Sequence, residues 1–408
     1  MTGADDHDEE NVMRRRRSRN RSETASPALA FGKLPRLLLL LVVLLPIAEW
    51  SASAIMARLD SRAKAVTLSD DDIVKLYGTD QPAQYREALA EMPQAHDGTY
   101  APLTEYRMPA RQGRHLTIDG QGIRGGVMGG EGPRVVVFGG STAFGHGLTD
   151  GETIAAIMAA KMAQDGRPAR VENRATPGWY STQDRIAFAE MLATGDKPDV
   201  AVFIHGVDDF LSCGKPERTA WSDRLARVGI PAGLETVVRQ SALAALVRRL
   251  TGMPEPSGPV AHNPACASDA QAEASLARLD ANRRLIAAMA ERFGVKPVFV
   301  QQPVPTYHYD NAKRTVPLEP HLMVPYVPVA KGYARLAEMR GTGKLWEQDL
   351  LWLAELEPGE ANAYIDPVHY APAFARLIGE TLARRVGDLL PATAFDGAIP
   401  AVNPPAAQ

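Results

Sequence analysis

The chain has 408 residues, of which 45% are hydrophobic and 23% charged, and its formal net charge is −3. This composition excludes a chain that is disordered throughout, because it supplies enough apolar surface for a large buried core. The nearly balanced charge by itself points to no class of partner.

The N-terminal region has an acidic stretch, a basic run and an apolar run, in that order. Residues 1–33 are charged and poor in apolar side chains, which predicts a disordered tail. The arginine cluster at 14–21 has a composition also found in nucleic-acid-binding segments and localisation signals. It is followed by an apolar run from Leu37 to Ala57, close to the roughly 20 residues that cross a bilayer.

We therefore predict a transmembrane anchor at residues 34–57, because arginines on the N-terminal side of such a run stay in the cytoplasm. The rest of the chain then lies on the periplasmic side of a bacterial cytoplasmic membrane, with the membrane as a partner and no nucleic acid. A cleaved signal peptide is the alternative, since Ala52-Ser53-Ala54 is a plausible cleavage site. In an exported chain the two cysteines, Cys213 and Cys266, suggest a disulfide; two unrelated buried thiols are the alternative.

The remainder of the chain changes character near residue 130. Residues 58–130 are punctuated by Gly and Pro, with one helix-like piece near Asp71–Met92, and are predicted to be a stalk or lead-in. From Arg134 onward, apolar strands alternate with helix-like segments. The predicted strands are Arg134–Phe138, Ala169–Glu172, Val200–Ile204 and Lys296–Val300. The predicted helices are Glu152–Ala163, Ser181–Leu192, Ala272–Phe293 and Phe374–Leu390.

This alternation predicts an α/β domain at residues 131–390, followed by a flexible tail at 391–408. Val200–Ile204 reads VAVFI, a continuous apolar strand typical of parallel sheets that are covered on both faces. Ligands of such sheets bind beyond the carboxyl ends of the strands. Four short blocks lie at such positions: Gly139 to Ser141, Asn173 to Ser181, His205 to Asp209, and Asp366 to His369.

The four blocks, in this order, resemble those of the SGNH (GDSL-type) hydrolase family, and most of all its membrane-anchored bacterial members with a Phe-Gly-Gly-Ser-Thr block. The resemblance covers residues 130–390 and implies a flavodoxin-like three-layer sandwich with a parallel sheet. It implies that Ser141 is the nucleophile, that His369 is the base and that Asp366 is its partner. It further implies that Gly178 and the residue at position 208 belong to the oxyanion site.

The chemistry of these residue types fits those roles. A serine hydroxyl needs a base to remove its proton, and an imidazole, with an ordinary pKa near ~6.5, can do so at neutral pH. Alternatives remain for each residue: Ser141 as a helix cap or phosphate-loop residue, His369 as a surface histidine, and Gly178 as a turn residue. The phosphate loop is disfavoured because no Lys-Ser/Thr follows the glycines.

One position departs from the family pattern. Where the family has Gly-x-Asn-Asp, this chain has Gly206-Val207-Asp208-Asp209. An asparagine donates a hydrogen bond to an oxyanion, whereas an ionised aspartate only accepts. Three outcomes are open: Asp208 is protonated by crowding against a carboxylate such as Asp209, the site works slowly with two backbone donors, or hydrolysis has been lost.

The sequence thus predicts an extracytoplasmic serine esterase that acts through an acyl-enzyme on acyl or acetyl esters of a small molecule, carbohydrate or lipid. The alternatives are an O-acyltransferase for extracytoplasmic polysaccharide and a non-catalytic glycan-binding protein on the same fold. No metal or cofactor is predicted, because the chain has no Cys/His cluster with zinc spacing. Lower-ranked candidates for the pocket are His146, Trp179, Tyr180, His205, Gln301, Gln302 and His308.

Overall fold

The computed structural model describes residues 44–55, 68–93, 98–212, 241–251, 264–342, 350–359 and 362–390. Contacts divide the chain into two compact units, residues 1–65 with 233–255 and residues 66–232 with 256–408. The strands are β1 (Thr99–Ala101), β2 (Glu105–Arg107), β3 (Arg111–Gln112), β4 (Thr117–Ile118), β5 (Arg124–Met128), β6 (Arg134–Gly139), β7 (Arg170–Asn173), β8 (Val200–His205), β9 (Lys296–Gln301) and β10 (Leu350–Trp352). The helices are α1 (Asp70–Tyr77), α2 (Pro82–Glu91), α3 (Ser141–Phe144), α4 (Ile154–Gln164), α5 (Ser181–Ala193), α6 (Val207–Leu211), α7 (Ala242–Thr251), α8 (Asp269–Phe293), α9 (Val327–Gly341) and α10 (Pro372–Leu389). Short 3₁₀ helices lie at Asp150–Glu152, Pro264–Ala267, Asn311–Lys313 and Pro320–Tyr326.

The second unit is built on one sheet with the strand order β10-β9-β8-β6-β7-β5-β4-β3. The five strands from β10 to β7 are parallel to one another, whereas β5, β4 and β3 extend the sheet in antiparallel pairing. The prediction of a parallel sheet is therefore confirmed for the strands that carry the first three blocks. The antiparallel edge was not predicted, and it is contributed by the lead-in before residue 130.

Helices cover both faces of the parallel strands, as the alternating side chains of β6 show. Val135 and Val137 point into a core shared with α4 and α10, while Val136 and Phe138 point into a second core shared with α5 and α8. All four side chains are at most 1% exposed. Burial of side chains of this kind stabilises the fold by about 1.5–3 kcal/mol each, which explains the uninterrupted apolar run. The predicted three-layer sandwich is confirmed.

Each predicted strand and helix between Arg134 and Leu390 is present, with ends displaced by at most three residues. The helix predicted at Asp71–Met92 needs correction, because it is two helices. Gly78 ends α1 in the left-handed conformation (φ +62°), and Pro82 occupies the first turn of α2. Glycine adopts this conformation without steric cost, and a helix tolerates proline only in its first turn. The two residues together therefore separate α1 from α2.

The described part of the lead-in, from residue 68 onward, is part of the same compact unit as the sheet that follows it. Strand β5 pairs with β7, and the apolar residues Ile73, Leu76 and Tyr77 of α1 pack against Ile365, the residue before Asp366. The amide of Asn362 also donates to the carbonyl of Leu76 at 3.0 Å. Residues before the α/β domain therefore support the segment that carries the fourth block.

The first unit contains a helical segment at residues 44–55 and helix α7. Glu49 accepts hydrogen bonds from Ser241 Oγ (2.7 Å) and from the backbone N–H groups of Ala242 and Leu243, and so caps the start of α7. Among the described residues, no helix has both the length and the apolar character needed to cross a membrane. Residues 34–43 and 56–57 of the predicted anchor, the tails 1–33 and 391–408, and Cys213 lie outside the described residues, so the anchor and the disulfide with Cys266 stay predictions.

Candidate active site

The first three blocks meet where β6, β7 and β8 end. Block one begins in the last residue of β6 and continues into α3, and the N–H of Thr176 in block two donates to the carbonyl of Gly139 at 2.9 Å. Block three runs from the end of β8 into α6. Neighbouring parallel strands bring their carboxyl ends to one edge, so the topology alone places these blocks together.

The fourth block reaches the same place on a tight turn before α10. The N–H of Ile365 donates to the carbonyl of His369 at 2.9 Å, and Tyr364 pairs with Tyr370 as an antiparallel bridge. His369 Nε2 lies 2.9 Å from Ser141 Oγ, although the two residues are 228 positions apart. His369 Nδ1 lies 2.6 Å from Asp366 Oδ2. The three residues thus form one continuous chain of hydrogen bonds from carboxylate to imidazole to hydroxyl.

Asp366 is held as a charged acceptor. Its Oδ1 accepts the backbone N–H groups of Val368 and His369, each at 2.8 Å. Burial acts to raise the pKa of Asp366, but the neighbouring imidazole of His369 and these hydrogen bonds outweigh it and hold the pKa well below its ordinary range. Arg314 donates to the carbonyl of Asp366 at 3.0 Å and fixes the backbone of the turn from the other side.

Ser141 is the first residue of α3, and Gly140 occupies the cap position. The helix-cap alternative for Ser141 is therefore wrong. The N–H of Ser141 opens a helix and so has no acceptor within that helix. Gly178 lies at the end of the Thr176 turn with φ +80°, a conformation that favours glycine, and is partly exposed.

Gly140 is the point where three blocks touch. A Cβ atom at this position would lie 2.0 Å from Asp208 Oδ2 and 2.9 Å from the carbonyl oxygen of Trp179. Glycine is the residue that permits this approach, because every other side chain would push block two or block three away. The carboxyl group of Asp208 therefore lies directly beside the backbone that precedes the nucleophile.

Part of the chain matches a known protein family. Residues 137–316 match the GDSL-like lipase/acylhydrolase family, a range that contains Ser141, Gly178 and Asp208. This part of the chain is similar to that family. The fourth block lies beyond the matched residues, and the fold brings it to the first three blocks. No curated protein sequence matches the chain.

Solved structures of several esterases and acylhydrolases resemble the chain distantly. They include the esterase EstA from Pseudoalteromonas sp. (9% identity, TM-score 0.34, 63% of this chain and 98% of that one). A lipase/acylhydrolase from Enterococcus faecalis has 14% identity and a TM-score of 0.34, covering 64% of this chain and 97% of that one. An acetyl xylan esterase has 11% identity and a TM-score of 0.33, covering 62% and 99%. Likenesses this distant do not assign a substrate.

The departure from the GDSL pattern at Asp208 has a physical counterpart. Burial raises the pKa of Asp208, the carboxylates of Asp209 and Asp184 raise it further, and His369 acts in the opposite direction, so that the pKa is about 7. Asp209 itself is buried and accepts from the N–H and the hydroxyl of Ser181, at 3.2 and 2.5 Å. The crowding that the sequence suggested is thus present, and together with burial it shifts Asp208 toward its protonated form.

The lower-ranked candidates divide between the site and the core. His146 lies against His369, with ring centroids 4.4 Å apart and an interplanar angle of 29°. His205 is buried and bonds to Asp184 at 3.1 Å, away from any pocket mouth. The remaining buried candidates are held by internal hydrogen bonds or ring contacts: Trp179, Tyr180, Gln301 and Gln302. His308 is exposed.

Sequence reasoning missed Arg124, a fully buried cation from the lead-in. Its guanidinium donates to the carbonyls of Phe144 (2.7 Å), Gly145 (2.6 Å) and Leu148, and pairs with Asp150 at 3.2 Å. These carbonyls follow the nucleophile directly along the chain. The lead-in was predicted to be a stalk, so no role was attached to this arginine.

Proposed function

We propose that the chain is a serine esterase in which Ser141 is the nucleophile, His369 the general base and Asp366 the residue that orients His369. The observation that carries the proposal is the continuous chain of hydrogen bonds, 2.6 Å from Asp366 to His369 and 2.9 Å from His369 to Ser141. Nucleophile and base within hydrogen-bond reach, with the base held by a third group, is the arrangement that acyl transfer to serine requires.

The reaction follows from the geometry. Ser141 Oγ attacks the ester carbonyl carbon while His369 Nε2 takes the hydroxyl proton, and the charged Asp366 stabilises the imidazolium that forms. The C–O bond to the leaving alcohol then breaks, and His369 returns the proton to the departing oxygen. This step leaves an acyl group on Ser141. A water molecule repeats the sequence, with His369 as base, and releases the acid.

The tetrahedral intermediate needs donors for its oxyanion. In this proposal they are the N–H of Ser141, the N–H of Gly178 and the protonated carboxyl of Asp208. Asp208 lies beside Gly140, between the first block and the Trp179 backbone, so the third donor and the nucleophile share one edge of the sheet. A carboxyl with a pKa of about 7 donates in its protonated form and opposes the oxyanion in its ionised form.

The substrate class and location form a further part of the proposal. We infer acyl or acetyl esters of extracytoplasmic carbohydrate or lipid, with the catalytic domain on the periplasmic side of the bacterial cytoplasmic membrane. This rests on the arginine cluster and apolar run at the N-terminus. Assays of simple esters, acetylated glycans and lipid esters would separate these substrates. Acyl groups that appear on an added glycan acceptor instead of in water would indicate an O-acyltransferase.

A fluorophosphonate probe tests the nucleophile directly. We expect label on Ser141 by peptide mass spectrometry, no label in Ser141→Ala, and strongly slowed labelling in His369→Ala. Ser268→Asp is a matched control, because Ser268 is exposed and Asp preserves the cap of α8. Label on another serine, or equal labelling of the His369→Ala variant, would refute the assignment.

A further inference from the structure

His146 lies against the face of the catalytic imidazole, and the mechanism above does not use it. Its ring and that of His369 have centroids 4.4 Å apart and are inclined by 29°, which is a stacked arrangement. His369 is held at both ring nitrogens, by Asp366 and by Ser141. Those two hydrogen bonds and the covalent bond to Cβ orient the ring. The ring of His146, stacked on its face, adds resistance to rotation of the imidazole out of that orientation.

The turn that carries His146 is fixed from both sides of the triad. The N–H groups of Gly145 and His146 both donate to the carbonyl of Ser141 at 3.0 Å. Gly147 follows with φ +83°, and a Cβ there would lie 2.2 Å from the side chain of Ile365. Since Ile365 precedes Asp366, the turn touches the nucleophile at one end and the aspartate loop at the other.

Arg124 locks this turn in place. It donates to the carbonyls of Phe144 and Gly145 immediately before His146 and to that of Leu148 just after it, and its guanidinium lies 4.5 Å from the centroid of the Phe144 ring. Its own charge is balanced by Asp150 at 3.2 Å. The ring of His146 is therefore presented by a rigid segment, as a positioning role requires.

From this geometry we propose that His146 is a positioning residue. Its uncharged aromatic ring holds His369 in line with Ser141 and places no second positive charge beside the imidazolium that His369 becomes. The inference rests on the proposed function of the triad. A second cation at this distance would oppose the imidazolium that forms in the transition state.

The groups around His146 keep it uncharged. Burial, together with the charges of His369 and Arg124, lowers its pKa to about 3, while Asp366 acts in the opposite direction. The other titratable group that approaches this turn is Tyr77, whose hydroxyl would lie 3.1 Å from a Cβ at Gly147 and which is neutral at physiological pH. His146 therefore stacks on His369 as a neutral ring.

Kinetics of the full chain in detergent, on one activated ester, test the proposal with three variants. His146→Ala removes the stack and lowers kcat about two- to tenfold, with KM unchanged. His146→Phe restores a flat neutral ring and recovers most of that loss. His146→Lys places a cation beside His369, lowers kcat about 10²–10³-fold and moves the acidic limb of the pH profile to lower pH. His115→Ala, whose ring contacts Glu87 instead, is the matched control.

Three kinetic results would overturn the proposal: equal kcat for wild type and His146→Ala at every pH, a Phe variant as slow as the Ala variant, or an effect confined to KM. Nuclear magnetic resonance of ¹⁵N-histidine-labelled protein separates this failure from a failure of the proposed function. Even in a chain that turns over no ester, the wild type should show a protected Nδ1–H signal from His369, which weakens in His146→Ala and returns in His146→Phe. An unchanged signal in all variants would refute the positioning role.

Discussion

Asp208 gives the sharpest test of the site, because its charge should switch an oxyanion donor on and off near neutral pH. Its pKa is about 7, so the protonated share is about 90% at pH 6, about 50% at pH 7 and about 1% at pH 9. Loss of one oxyanion donor costs roughly 10²–10³ in rate. Asp208→Asn replaces the titrating donor with a permanent one of nearly the same shape.

The quantity to measure is kcat/KM of Asp208→Asn divided by that of wild type, from pH 6 to pH 9 on one ester. Both proteins use His369 as base, so effects that act through His369 largely cancel in the ratio. We expect a ratio near 1 at pH 6, about 2 at pH 7 and about 10² at pH 9, since wild-type activity follows the protonated share of Asp208.

The shape of the curve decides the outcome. A ratio that stays near 1 at all pH values would show that Asp208 does not face the oxyanion. A large ratio that does not change with pH would show that Asp208 is ionised throughout and only hinders the site. Either result would refute the reasoning from burial and carboxylate crowding. Asp388→Asn, at an exposed position, should give a flat ratio of 1.

Four further expectations can be checked on the same protein. Asp208 has a folded-state pKa above its ordinary 3.8, so its contribution to the free energy of unfolding is fully present below about pH 4 and is lost as the pH rises toward 7. Thermal melts should show Asp208→Asn more stable than wild type at pH 8 and equal to it at pH 4. Asp366→Asn should lower kcat about 10³–10⁴-fold without unfolding, and a loss below tenfold would contradict its role. Gly140→Ala places a Cβ 2.0 Å from Asp208 Oδ2 and should slow probe labelling about 10²-fold, whereas Gly120→Ala, which faces open space, should not. Arg124→Leu removes the ion pair with Asp150 and one donor from each of three carbonyls, so urea denaturation should show a loss of about 3–5 kcal/mol that the exposed Arg376→Leu does not share.

Short-range patterns of apolar residues predicted the strands that are buried on both faces and the helices that have one apolar face. The run from Arg134 to Gly139 is buried on both faces, so a continuous apolar stretch was a sufficient signal for a central strand. The long amphipathic repeat that became α8 was equally clear, although its predicted start, Ala272, lies three residues after the observed one, which Ser268 caps. The antiparallel strands β3 and β4 have two residues each, too few for any periodic pattern to show.

The candidate site shows the same division. Residue type and order singled out Ser141, Asp366 and His369. Few residue types can act as nucleophile, base or acidic partner, and the four blocks of the family have a fixed order. The position of Asp208 was predictable in the same way, but the sequence left its protonation open as one of three outcomes. That property depends on burial and on Asp184 and Asp209, and the fold alone sets the distance between Asp184 and Asp208.

The amino-acid sequence by itself determined the alternation of strands and helices, the order of the four blocks and the chemical types available at the sheet edge. The tertiary structure decided which side chains touch there: His146 against His369, Arg124 beneath the nucleophile turn, and Asp208 beside Gly140. The physical reason is range. Periodicity and capping act over a few residues, whereas the electrostatic and steric surroundings of an active site are summed over neighbours far apart in the chain.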